Sequence, residues 1–74
     1  MFLSDCRPGQ AGIITGILGN GPLVQRLMEM GLIAGTEFQV VRFAPLGDPM
    51  EIALLGYHLT LRKSEAGAVK VEVR

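Results

Sequence analysis

The sequence has no tryptophan, one histidine (His58), one cysteine (Cys6) and no net charge, and each scarcity removes a class of function. A single cysteine allows no disulfide within the chain and no cysteine-based zinc site. A lone thiol also suits a reducing compartment, where disulfides are rare. One histidine and one cysteine, distant in sequence and without H-x-x-x-H or C-x-x-C spacing, predict no metal site and no cofactor, because tight transition-metal sites need several converging ligands. The same shortage leaves Ser4, Ser64, Thr15, Thr36 and Thr60 without a triad, and Cys6 without a neighbouring base to activate its thiol. No catalytic residue is therefore expected. Seven basic residues balance seven acidic ones, so no clustered excess is available to neutralise phosphates and no nucleic-acid partner is expected. Zero net charge also leaves little repulsion between copies, making weak homo-oligomerisation an expectation. No apolar run approaches the roughly 18–20 residues that span a bilayer. The start, Met1-Phe2-Leu3-Ser4-Asp5, lacks the basic and long apolar regions of a secretion signal. These absences predict a cytoplasmic protein with no direct membrane insertion.

What the chain does have is apolar residues. They make up 49% of its 74 positions, enough for a single folded domain over 1–74 and not for two cores. Arg7-Pro8-Gly9 reads as a turn into a first strand, Ala11 to Leu18, in which Gly12 and Gly16 mark a bend, a bulge or a close backbone approach. Pro22 fits the first turn of a helix, where its missing N–H is not needed, so Asn20-Gly21 is not read as a hairpin turn. From Pro22 to Met30, Leu23, Val24, Leu27, Met28 and Met30 fall within an arc of roughly 160° and are expected to pack inward. Gly31 then sits where a left-handed cap costs least.

The remainder reads as β. Strands are expected at Thr36 to Ala44 and Met50 to Leu55, separated by the turn Pro45-Leu46-Gly47-Asp48-Pro49. Tyr57, Leu59 and Leu61 alternate with His58, Thr60 and Arg62, and Val69, Val71 and Val73 alternate with Lys70, Glu72 and Arg74, each the period of a strand with one buried face. Ser64 to Gly67 makes a turn or a single helical turn. About five short strands with one helix between the first two predict a mainly β, small SH3-like barrel, whose closure would remove exposed edges.

Three segments resemble the FeoA family. Arg26-Leu27-Met28-Glu29-Met30-Gly31-Leu32-Ile33-Ala34-Gly35-Thr36 is similar to its RL-x-x-MGL-x-PGT signature. Ala44 to Pro49 resembles its second, and Leu59-Thr60-Leu61-Arg62-Lys63-Ser64-Glu65-Ala66 its third, in the family's order and spacing. Ala34 stands where proline is usual, which loosens that turn by about 0.4–1 kcal/mol. The resemblance implies an SH3-like domain in ferrous iron uptake, partnering FeoB, a membrane iron transporter with a cytosolic GTPase domain. A similar domain ends the iron-dependent repressors of the DtxR kind. No winged-helix DNA-binding segment is present in this sequence, which favours the transport role.

His58 lies on the polar side of its strand. Asp48 and Glu51 are read as solvated carboxylates. Gly16, Gly19 and Gly21 precede a helix, but Pro22-Leu23 replaces the Lys-Ser/Thr that a phosphate loop requires. The expected function is a non-enzymatic interaction module docking through the helix and its exit (Arg26, Glu29, Met30, Leu32) and the turn (Pro45, Leu46, Asp48, Pro49). The alternative is a small regulatory domain that senses ferrous iron or binds a peptide segment. Against the latter, Pro-rich ligands dock on aromatic-lined grooves, and Phe2, Phe38, Phe43 and Tyr57 are all the aromatics available.

Overall fold

The structure, a computed structural model, describes all 74 residues. A 3-10 turn at Leu3–Asp5 precedes strand β1 (Ala11–Ile17), helix α1 (Pro22–Glu29), strands β2 (Glu37–Phe43), β3 (Met50–Leu54) and β4 (Tyr57–Leu61), a one-turn helix α2 (Lys63–Ala66) and strand β5 (Val69–Val73). The strands form one antiparallel sheet in the order β4-β3-β2-β1-β5. Its fold is SH3-like and mainly β, with the helix between the first two strands as expected.

Two register shifts bend the sheet around its core. One lies in β1 between Ile14 and Gly16 against β5, the other in β2 between Val40 and Arg42 against β3. An extra residue on one strand of a pair increases local bend and twist. Gly12 does something different from Gly16. It is buried in the β1–β5 pairing, and a Cβ there would overlap the carbonyl oxygen of Glu72 and lie 3.0 Å from Val73 Cα. Gly16 has open space around it.

The sheet does not close on itself by hydrogen bonds, contrary to the expected removal of edges. The free side of β5 is instead covered by the N-terminus: Phe2 bridges Lys70, and the Val71 N–H donates to the Met1 carbonyl at 2.9 Å. On the other side, β4 pairs with β3 alone. Fourteen apolar residues form one buried cluster, drawn from the 3-10 turn, both helices and all five strands, and no charged or polar side chain is buried with them. Leu3 and Cys6 belong to that cluster, a role their sequence neighbourhood gave no sign of.

Candidate functional site

The helix exit is built by local backbone chemistry. Helix α1 begins at Pro22, after Gly21 at φ +91°, and ends in a cap that orders the next two residues. The Gly31 N–H donates to the Met28 carbonyl at 3.0 Å, and the Leu32 N–H donates to the Leu27 carbonyl at 3.1 Å. With Gly31 at φ +104°, this pair of bonds is the Schellman motif, which characteristically brings its last residue onto the third residue from the helix end. Leu32 is accordingly fully buried in the same cluster as Leu27. Its expected place on a docking surface is therefore corrected: the chain doubles back before Leu32 can face outward. Met30 is half-buried against the core, but Leu23 and Met28 remain 43% and 49% exposed. An eight-residue helix lying on a barrel seats only a narrow stripe, here Leu27, rather than the whole apolar arc. Tyr57, at the start of β4, donates its hydroxyl to the Met30 carbonyl at 2.6 Å and so pins the helix exit to the edge strand.

The turn between β2 and β3 is partly exposed and partly tied down. Leu46 at its tip is 97% exposed. Asp48 is engaged: its Oδ1 accepts from the Lys63 backbone N–H at 3.0 Å, satisfying a free donor at the start of α2. The Asp48–Pro49 peptide is cis. Lys63 reaches back over the Phe43 ring at 5.6 Å from its centroid, a cation–π contact that further joins the turn to α2.

Three of the expected docking residues meet in one cleft. Arg26 and Met30 from α1, Pro49 from the turn, Thr60 at the end of β4, and Arg62 and Glu65 around α2 line a space of about 450 Å³. Glu65 is fully committed within it. Its Oε1 accepts from the Arg62 backbone N–H at 2.9 Å, and its Oε2 pairs with the Arg26 guanidinium. Glu29 faces elsewhere, into a groove with Gly21, Val24, Gln25 and Met28. Pro45 and Leu46 line neither space. The cleft also takes in Thr60, Arg62 and Glu65, which were not expected to dock although they lie in the third family-like segment and Thr60 and Arg62 have the outward phase of the strand alternation.

His58 is not simply solvated. Its Nδ1 lies 3.0 Å from Glu51 Oε2, while Arg42 donates from Nε to Glu51 Oε1 at 2.9 Å. Hydrogen bonds from Arg42 first and His58 second hold the Glu51 carboxyl below the usual carboxylate range. The histidine and its carboxylate are thus occupied with each other and with an arginine. No group of three or more His, Cys, Asp or Glu side chains comes together anywhere in the chain.

Cys6 is 2% exposed, and burial, then the charge of Asp5, pushes its thiol above the ordinary value. A pKa raised on folding stabilises the folded state below the unfolded pKa and loses that contribution as pH rises. Stability should fall as pH climbs past about 8.5, the ordinary thiol value. Urea midpoints measured across this range should show the fall in the natural chain, and a flatter response in Cys6→Ala. A thiol reagent should label Cys6 only when urea is present.

The fold is that of a small SH3-like domain with surface clefts and a fully apolar core. This chain belongs to the FeoA family: the model for the FeoA domain matches residues 1–73. It is 34% identical over 73 residues to a fusion of Fe(2+) transport protein A with the Fe(2+) transporter FeoB from Porphyromonas gingivalis, covering 99% of this chain and 9% of that protein. Among solved structures, iron(II) transport protein A from Clostridium thermocellum is 40% identical with a TM-score of 0.93, covering 99% of this chain and 45% of that one. FeoA of Stenotrophomonas maltophilia, solved in complex with zinc and described as a procaryotic SH3 domain protein, is 29% identical with a TM-score of 0.85, covering 97% and 89%. Manganese-dependent transcriptional repressors are alike in fold alone, at 19% and 20% identity. The family is one of ferrous iron transport, and no helix here is long and apolar enough to cross a membrane.

Proposed function

We propose that this chain is a non-enzymatic accessory of ferrous iron uptake that works in the cytoplasm by docking on the cytosolic part of a FeoB-type membrane GTPase and transporter. The observation that carries this reading is the Porphyromonas gingivalis relative, in which a matching domain is continuous with the transporter. Natural fusion holds two modules at an effective concentration in the millimolar range for a short flexible linker, so a contact between them can be weak and still be occupied. The residue inventory supports the same reading from the other side: the one histidine is paired with Glu51 and the one thiol is buried. Uptake of labelled ferrous iron tests it. Cells carrying the transporter but lacking this chain should take up iron more slowly, and expressing the chain separately should restore the rate. Equal uptake with and without it contradicts the reading.

A further inference from the structure

We infer that the cleft between α1, β4 and α2 is where the partner docks, and that it receives an acidic segment of that partner whose carboxylate is held by Arg62 and Arg26. This rests on the docking role proposed above and adds the surface and the chemistry of its ligand.

The lining carries two arginines against one glutamate. Both oxygens of Glu65 are already used, one on the Arg62 backbone and one on Arg26. Arg62 is exposed, and none of the four ion pairs in the structure includes its guanidinium. Arg26 is 59% exposed at its side chain and uses one Nη on Glu65, leaving further N–H donors of its fork free. Glu65 therefore acts as a brace that holds Arg26 at the cleft without neutralising Arg62. Two guanidinium groups with unused donors lining one concavity are suited to a carboxylate, which they can engage in paired hydrogen bonds. Met30 and Pro49 give the cleft apolar walls and the Thr60 side chain a small polar one, so the favoured ligand is an acidic residue flanked by apolar ones.

The test is a titration of the full chain with the cytosolic region of its transporter, comparing the natural protein with Arg62→Glu, Arg62→Gln and Lys70→Glu. Arg62 makes no side-chain ion pair, so these variants should keep the thermal midpoint of the natural chain, which is checked first. Arg62→Glu should weaken binding roughly tenfold or more and Arg62→Gln less, while Lys70→Glu, an exposed charge on β5, should leave it unchanged. Binding by the natural chain should weaken with added salt, and that dependence should flatten in Arg62→Glu. If the natural chain binds and Arg62→Glu binds equally well, or Lys70→Glu weakens it as much, the cleft assignment is wrong and the docking role stands. If the natural chain does not bind at all, the docking role itself is wrong.

Discussion

Gly12→Ala is expected to cost about 3 kcal/mol or more of stability, whereas Gly16→Ala, four residues along the same strand, is expected to leave stability nearly unchanged. The two glycines look equivalent in sequence and differ entirely in their surroundings. A methyl group at position 12 would overlap the carbonyl oxygen of Glu72 and press on Val73 Cα. Both are backbone atoms, paired with β1 through Gly12↔Val73 and Ile13↔Glu72, so relief requires parting the two strands. Overpacking a core commonly costs about 1–3 kcal/mol even when side chains can yield. Here nothing flexible yields, and a domain of this size has only about 4–11 kcal/mol of stability at the usual 0.05–0.15 kcal/mol per residue. Position 16 has no neighbour within 4 Å of the added atom and no positive φ. Urea denaturation of both variants measures the contrast. Comparable losses would mean that the close approach of β1 to β5 is wrong.

The second large effect is Gly31→Ala, for which a loss of about 3 kcal/mol is expected. Two causes add. A non-glycine residue at φ +104° carries backbone strain of order 1–3 kcal/mol. The new methyl group would also displace the Tyr57 hydroxyl and break its 2.6 Å bond to the Met30 carbonyl, worth about 1 kcal/mol. The two causes can be separated. Tyr57→Phe removes the hydroxyl and costs the hydrogen bond alone, so in the double variant the collision is largely gone and the strain adds only to that one lost bond. A double-mutant cycle should show the pair less destabilised than the sum of the single changes by about 1 kcal/mol. Strict additivity would show that the tyrosine and the helix cap are not in contact.

These glycines illustrate what could be read from the chain and what could not. The helix was legible because its limits are set by local dihedral requirements: Pro22 at the start and Gly31 in the left-handed region past the end. The strands were legible because a half-buried strand repeats every second residue, and their limits fell within a residue or so of those expected. The SH3-like class followed from that count and from the family resemblance together. Leu32 was misplaced because periodicity says nothing about a chain that reverses immediately after a helix. Met28 and Leu23 were expected inside because an apolar arc shows which side could be buried, not how much of it a neighbour reaches. Leu3 and Cys6 were overlooked because the ten residues before the first strand hold no period to read. The cleft was the least legible feature of all. Its bracing contact joins Arg26 and Glu65 across 39 positions, and no spacing rule reaches that far. The iron connection came from family resemblance in both sequence and comparison, since the chain's own side chains offer no metal constellation.

The most direct measurement is calorimetric titration of this chain into the purified cytosolic region of its FeoB-type partner, repeated in each nucleotide state. Saturable binding at one chain per transporter, with a dissociation constant of about 1–100 µM, is the predicted result. Absence of any association in every nucleotide state at such concentrations would contradict the docking role.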